Sequence, residues 1–335
     1  LDVLINICHI VELLSLQRTA RIDTTLLKMP NLLYTFRGFV VPVLTPFTDG
    51  LGLNLSVIPQ YAKFLADSGI KGILVNGTSG EGMSMSVEER KKVAESWANA
   101  VKPSKQHLMI QVGGAPLPDV IELAKHAEQI KADAILCLPE LYFKPSNAEE
   151  LINYLKIVGD AAPKTPLLYY HIPMFSNVNI DMGKFLESIG NRIPSFVGIK
   201  FTSTNLAEGS QALHADGGKF IIFLGSDQII SAGCTVGIDS FIPTSVNIFP
   251  GQALEIRTAG VAGDGLKARE LQDKLNQTII TISKHGNWVV TMKTAMALLT
   301  PINPGPVRPP VQILSPEAIN LMKKELQLLG YSIRN

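Results

Sequence analysis

The amino-acid sequence predicts an α/β fold, a (β/α)8 (TIM) barrel with additional C-terminal helices. From Gly38 onward, short β-rich runs alternate with amphipathic stretches at a spacing of about 25 to 30 residues, which is typical of βα units around a parallel sheet. Eight such runs follow one another, and eight units close a barrel. A chain of 335 residues with 46% hydrophobic composition can bury a large core, so its length fits one barrel as well as two domains.

The strands are expected near 39–45, 72–76, 107–112, 134–138, 166–171, 196–201, 220–224 and 239–243. Several helices begin with N-terminal signals, two of them capping boxes and two of them single N-caps: Ser86-Val-Glu-Glu89, Ser146-Asn-Ala-Glu149, Asp181 and Asn205. After the last strand, helices are predicted over 264–285, 288–299 and 315–329. A linker rich in Pro and Gly, 301–310, cannot be helical.

We expect the barrel to span 36–260 and a helical extension packed on it to span 261–332. Residues 1–28 are interpreted as a non-native or disordered extension, with Met29 as the natural start. Their apolar run is shorter than the ~20 residues of a membrane span and lacks the positive region of a signal peptide.

Composition narrows the class of partner. The formal net charge is +1 and no dense Lys/Arg block is present, which argues against a nucleic acid or an anionic membrane as partner. Cys8, Cys137 and Cys234 are isolated, which favours a reducing compartment and hence the cytoplasm. The six histidines do not have the spacing of zinc ligands, and we expect no metal.

Lys200 is the most informative residue. It ends the apolar run Phe196-Val-Gly-Ile-Lys200, which predicts a buried parallel strand. A desolvated amine is more easily neutral, and a neutral amine can attack a carbonyl to form a Schiff base. The alternative is a lysine that extends from the strand end into water.

The other strand ends also carry polar groups. In a (β/α)8 barrel, the residues that follow the strands converge at one face. These residues are Thr78 and Ser79 after strand 2, Tyr170 in strand 5, Lys200 and Thr202 at strand 6, Gly225-Ser-Asp-Gln228 after strand 7, and Thr244-Ser-Val-Asn247 after strand 8. An amine, a phenol and hydroxyl donors are the parts that a Schiff-base lyase needs.

Each part also has a structural interpretation. The glycine-rich turn 77–82 could simply cap a strand and bind no ligand, with Glu81 accepting backbone donors. Tyr170 could be a core tyrosine, and Asp227 could be the N-cap of the next helix. His171 should point to the opposite side of its strand from Tyr170 and be a structural histidine whose hydrogen bonds are satisfied.

Taken together, these motifs resemble the pyruvate-dependent class I aldolases of the dihydrodipicolinate synthase and N-acetylneuraminate lyase superfamily, most closely its animal-type lyase branch. The likeness covers roughly 36–330. It is carried by four segments and their order: Val75-Asn-Gly-Thr-Ser-Gly-Glu-Gly82, Tyr169-Tyr-His-Ile-Pro173, Gly198-Ile-Lys-Phe-Thr202 and Gly225-Ser-Asp-Gln228.

The resemblance implies reversible cleavage of N-acetylneuraminate to N-acetylmannosamine and pyruvate. Lys200 would form the Schiff base, Tyr170 would shuttle the proton, and Thr78 and Ser79 would hold the carboxylate. The sugar's hydroxyls would meet Thr202, Gly225, Asp227, Gln228 and Thr244. The resemblance also implies no cofactor and a homotetramer, in which Tyr142 could reach a neighbouring subunit's site.

Other functions remain open at this point. A dihydrodipicolinate synthase carries an arginine where this chain has Phe175, so that reaction would lack a carboxylate partner. A 4-hydroxy-2-oxoglutarate aldolase needs only another aldehyde, and a sialic acid or 2-oxo acid binding protein needs no amine.

The chain departs from the lyase pattern at Gln228, usually glutamate, and at Thr244-Ser-Val-Asn247, usually Ser-Thr-Tyr-Asn. We therefore expect an altered sugar preference.

Overall fold

Eight parallel strands form one sheet whose order follows the chain in a computed structural model, which describes residues 31–334. The strands are β1 Val40–Pro42, β2 Gly72–Val75, β3 His107–Gln111, β4 Ala134–Cys137, β5 Leu167–His171, β6 Phe196–Phe201, β7 Ile221–Leu224 and β8 Ser240–Phe241. A parallel bridge between Phe39 and Phe241 joins the two edges of the sheet. The predicted barrel is confirmed, with strands slightly shorter than expected, and the predicted extension 1–28 lies outside the described residues.

Helices follow the strands. They are α1 Ile58–Asp67, α2 Val87–Ala100, α3 Leu117–Gln129, α4 Ala148–Ala161, α5 Pro173–Ser176, α6 Met182–Ile189, α7 Leu206–His214, α8 Ile230–Thr235, α9 Pro250–Val261, α10 Gly265–Ser283, α11 Trp288–Leu299 and α12 Pro316–Leu328. Short 3-10 turns cover Leu55–Val57, Gly82–Ser84, Ala215–Gly218, Asp227–Ile229 and Thr244–Asn247. The linker 301–310 is not helical, as its prolines predict.

Most of the predicted helix starts are confirmed. Ser86 and Glu89 form the expected capping box on α2, and the side chains of Asp181 and Asn205 accept N–H groups at the starts of α6 and α7. The predicted box at Ser146 is wrong. Asn147 is the N-cap of α4, because its side chain accepts the Glu150 N–H, while the Ser146 N–H donates to the Glu150 carboxylate.

Two apolar clusters, one inside the barrel and one between the strands and the helices, stabilise the fold. Side chains that alternate along the strands point either into the barrel, as Leu136 and Phe223 do, or outward toward the helices, as Ile135 and Leu224 do. At the N-terminal end of the barrel, Leu32, Tyr34 and Phe36 pack against the inner cluster. The opposite end, where the strands finish, is left for polar side chains.

The helices after β8 pack against the last units of the barrel. Helix α10 lies against α8 and α9, and α11 and α12 both contact α10. The division into a barrel over 36–260 and an extension over 261–332 stays a prediction. Among residues 31–334, no helix combines the length and the apolar character needed to cross a membrane.

Candidate active site at the carboxyl ends of the strands

Lys200 and Tyr170 face each other across neighbouring strands. They are register partners on β6 and β5, and the Lys200 Nζ lies 4.1 Å from the centroid of the Tyr170 ring. Lys200 is only 4% exposed, so it does not extend into water as the structural alternative required. Tyr170 belongs to the inner cluster, but its hydroxyl lies 3.1 Å from the Thr78 Oγ1. The amine and the phenol are therefore adjacent at the mouth of the barrel.

The turn that carries Thr78 and Ser79 folds back tightly after β2. Asn76 and Glu81 adopt left-handed backbone conformations, with φ of 61° and 52°. A Cβ at Gly82 would lie 2.0 Å from the Asn76 carbonyl oxygen, so only glycine fits there. The turn brings the Ser79 Oγ within 2.7 Å of the Thr244 Oγ1, beyond β8. It therefore connects two strand ends, which a simple cap would not do.

Glu81 anchors this turn to the C-terminal helices. Its Oε1 lies 2.6 Å from the Nζ of Lys293 on α11, and both side chains are almost fully buried. Its Oε2 accepts the backbone N–H of Arg308 at 2.9 Å. Burial lowers the pKa of Lys293, and the Glu81 carboxylate opposes that shift. Glu81 thus accepts a backbone donor as expected, and its ion pair was not predicted.

The loop after β7 passes close to Lys200. A Cβ at Gly225 would lie 2.1 Å from the Thr202 Oγ1 and 3.1 Å from the Lys200 Cε. The Thr202 Oγ1 is buried and has no hydrogen-bond partner among the described residues. A buried hydroxyl without a partner costs free energy, which makes Thr202 a candidate for hydrogen bonding to a ligand.

Asp227 joins the loops after β7 and β8. Its Oδ1 accepts the Ser245 N–H at 2.6 Å, and desolvation raises the pKa of the buried carboxyl despite the opposing effect of that N–H and of Lys200. The N-cap of the next helix, α8, is Ile229, and that of the 3-10 turn before it is Ser226. The alternative that Asp227 is an N-cap is therefore wrong.

Gln228 is more exposed than the other predicted site residues. Its side chain is exposed, whereas its backbone carbonyl accepts from the Asn276 side chain on α10 at 3.2 Å. Gln272, on the same helix, donates to the Asp227 carbonyl at 3.0 Å and accepts the Ser231 N–H at 3.1 Å. Helix α10 therefore holds this loop from behind.

His171 points away from Tyr170, as predicted, but its buried Nδ1 has no hydrogen-bond partner among residues 31–334, so the expectation of a satisfied histidine is wrong. Its ring stacks on Phe201 with centroids 5.4 Å apart, and burial lowers its pKa to about 4. Phe175 on α5 is 64% exposed. No group of three or more His, Cys, Asp and Glu side chains within 31–334 is arranged to hold a metal ion.

Three residues of the C-terminal helices contact the site and were not predicted from the sequence: Trp288, Lys293 and Gln272. One signal was available, because Lys293 is the only charged residue in the apolar helix α11. A single charge in such a helix indicates a buried partner. The partner's identity could not be read from spacing, since Glu81 is more than two hundred residues away in the chain.

A closed parallel barrel with an amine on its sixth strand, next to a phenol and a hydroxyl-bearing turn, defines a (β/α)8 protein equipped for carbonyl chemistry. A family model described as the Dihydrodipicolinate synthetase family matches residues 35–329. The chain belongs to that family, which confirms the superfamily resemblance of the motifs.

Several relatives share one printed name. N-acetylneuraminate lyase from Mus musculus is 33% identical over 297 residues, covering 88% of this chain and 93% of the relative. The Sus scrofa lyase is 35% identical over 295 residues, covering 88% and 92%. The solved N-acetylneuraminate lyase of Proteus mirabilis matches with a TM-score of 0.84 at 33% identity, covering 89% of this chain and all of that one. The sialic acid aldolase of Aliivibrio salmonicida matches with a TM-score of 0.84 at 31% identity, covering 89% and 98%.

Proposed function

We propose that this protein is a class I aldolase that reversibly cleaves N-acetylneuraminate to N-acetylmannosamine and pyruvate. The observation that carries the proposal is the pairing of the buried Lys200 amine with the Tyr170 phenol at the carboxyl ends of β6 and β5. Relatives named as N-acetylneuraminate lyases support the choice of substrate over that of other pyruvate-dependent aldolases.

In the cleavage direction, the Lys200 amine attacks the C2 carbonyl of the open-chain substrate. Tyr170 gives its phenolic proton to the hydroxyl that leaves as water, so that a protonated imine on Lys200 and a phenolate on Tyr170 result. Tyr170 takes the proton from the C4 hydroxyl as the C3–C4 bond breaks, which releases the sugar aldehyde and leaves an enamine of pyruvate on Lys200. Protonation at C3 and hydrolysis of the imine release pyruvate and restore the amine. The proton therefore stays within the site.

The remaining polar groups divide between the two halves of the substrate. We assign the substrate carboxylate to Thr78 and Ser79, because hydroxyl donors stabilise an anion in a site shielded from water. The sugar's hydroxyls are assigned to Thr202, Gly225, Asp227, Gln228 and Thr244. Among these, the buried and unpaired hydroxyl of Thr202 offers the clearest place for a ligand atom.

The test is borohydride reduction in the presence of pyruvate, followed by intact-mass measurement. Wild type should gain the mass of a reduced pyruvate adduct, and Lys200→Ala should not. Lys184→Ala, which removes an exposed lysine on α6, is the matched control and should trap pyruvate like wild type. Release of pyruvate from N-acetylneuraminate then tests the substrate. If pyruvate is trapped but is not released from N-acetylneuraminate, the protein is an aldolase for another aldehyde. If pyruvate is not trapped, a binding protein is favoured.

Phe175 supports the lyase over the synthase reaction. Its exposed phenyl ring stands where a synthase carries arginine, and a phenyl ring cannot hold a second carboxylate. Addition of the enamine that pyruvate forms on Lys200 to an amino-aldehyde with a carboxylate should therefore be slow. Efficient synthase turnover would contradict this assignment.

We also propose a homotetramer that works in the cytoplasm. Tyr142 and Phe143, in the loop after β4, are 84% and 82% exposed, and aromatic side chains so exposed favour a subunit interface. Sedimentation velocity measures the assembly directly. A monomer that still cleaves substrate would contradict the tetramer and the role of Tyr142 in a neighbouring site.

A further inference from the structure

A chain of three hydrogen-bonding groups leads from the C-terminal helices to the carboxylate turn. The Trp288 Nε1–H lies 3.3 Å from the Thr244 Oγ1, and the Thr244 Oγ1 lies 2.7 Å from the Ser79 Oγ. The three residues come from the first turn of α11, the loop after β8 and the turn after β2. Thr244 and Ser79 are both buried.

The chemistry of the groups sets the direction of this chain. An indole N–H can only donate, so the Thr244 oxygen accepts from Trp288. The Thr244 proton then needs an acceptor, and the Ser79 oxygen is the acceptor that the described residues place within reach. When Ser79 accepts that proton, its own O–H is left to donate elsewhere. Successive hydrogen bonds of one direction also polarise one another.

The position of Trp288 is itself well determined. The Asn287 side chain accepts the Val289 N–H and caps α11 at the residue before the indole. The Thr291 hydroxyl donates to the Trp288 carbonyl at 3.0 Å. The ring also packs against the outer apolar cluster. The cap and the first turn of α11 therefore fix the backbone at Trp288, and packing against the cluster restrains the ring.

We propose that Trp288 is a positioning residue that sets the direction of this hydrogen-bond chain, so that Ser79 presents a donor to the substrate carboxylate. This inference rests on the proposed function, since it takes the anion at Ser79 to be that of pyruvate or sialic acid. Thr244 thereby serves the carboxylate half of the substrate as well as the sugar half.

The experiment measures the pyruvate concentration that half-saturates borohydride trapping. Trp288→Phe keeps an aromatic ring and removes the N–H, and it should raise this concentration about five- to tenfold, the effect of one hydrogen bond. Methyl pyruvate has no anionic carboxylate, and its half-saturation should change less than twofold. Trp97→Phe removes the other tryptophan, whose buried N–H has no partner among the described residues, and should leave the value for pyruvate unchanged.

A second set of variants separates positioning from packing. Thr244→Val breaks the chain and should weaken pyruvate binding, whereas Thr244→Ser keeps the hydroxyl and should bind pyruvate more tightly than Thr244→Val does. Adding Trp288→Phe to Thr244→Val should cause no further loss, because the chain is already broken. Additive losses, equal losses with methyl pyruvate, or an unchanged Trp288→Phe would overturn the inference. Failure of the wild type to trap pyruvate would instead reject the proposed function.

Discussion

The backbone at Gly225 passes close to the Lys200 side chain. Its predicted role was contact with the sugar, and the structure adds a steric reason for glycine, since a Cβ would meet Thr202 and Lys200. We expect Gly225→Ala to reduce the rate of pyruvate trapping by at least tenfold, because small displacements of a reacting group are costly. Gly251→Ala is the control, since a Cβ there has no atom within 4 Å. Wild-type trapping by Gly225→Ala would contradict this account.

Gln228 tests the choice of sugar. Its amide stands where related lyases usually carry a carboxylate, and an amide offers donors that a carboxylate lacks. Because its side chain is exposed, the substitution Gln228→Glu should leave the fold intact. We expect the ratio of kcat/KM for N-acetylneuraminate and N-glycolylneuraminate to change by about threefold or more, less than the full effect of a hydrogen bond to a charged group. An unchanged ratio would show that Gln228 does not select the sugar.

Helix α10 is the element that holds the loop after β7 in place. Gln272 and Asn276 donate to the carbonyls of Asp227 and Gln228. We expect Gln272→Leu to raise KM for N-acetylneuraminate about tenfold, the cost of a buried donor and acceptor left unpaired. Pyruvate trapping should change little, since Lys200 and Tyr170 lie on other strands. Asp273→Asn, an exposed position on the same helix, is the control. Equal losses in trapping and cleavage would mean that α10 supports the whole barrel rather than this loop.

At the scale of the whole molecule, a buried ion pair ties the barrel to the C-terminal helices. Lys293 faces Glu81 and donates to the Pro306 carbonyl at 2.7 Å. Lys293→Met should lower the free energy of unfolding by about 3–5 kcal/mol, because it leaves the Glu81 carboxylate buried without its cation. Adding Glu81→Gln should recover part of that loss. Urea denaturation measures both, and a double variant as unstable as the sum of the single variants would contradict the pairing.

Arg308 makes a second connection, from the linker to α2. Its guanidinium bonds both oxygens of Glu89, and these hydrogen bonds lower the pKa of that carboxyl from 4.5 to about 2. Because the folded chain keeps Glu89 ionised more readily than the unfolded chain does, the pair stabilises the fold above about pH 5 and loses this contribution as pH falls toward 2.

We expect Glu89→Gln to lower the melting temperature at pH 7 by about 2 °C, as for a partly exposed pair worth about 1 kcal/mol. The difference from wild type should shrink as pH falls below 5. Glu149→Gln breaks the more exposed pair with Arg192 and should have a smaller effect. A difference for Glu89→Gln that is constant with pH would show that the carboxylate charge is not its cause.

The sequence by itself determined the barrel, the order of its strands and the residues that end them. These features depend on local patterns: apolar runs predict strands, prolines exclude helix, and Lys200, Tyr170, Thr78 and Ser79 follow strands whose ends must meet. The capping box at Ser146 failed because two neighbouring residues could both cap, and only the backbone conformation selects Asn147.

Only the tertiary structure decided what supports those residues. Glu81 pairs with Lys293, and Thr244 accepts a hydrogen bond from Trp288. Asp227 bonds to Ser245 and Gln272, and most of these partners lie far apart in the chain. Periodicity and capping report on neighbours within a few residues, whereas a buried polar group takes whichever partner the packing brings to it. For that reason, the groups expected to react could be predicted from the sequence, and the groups that orient them could not.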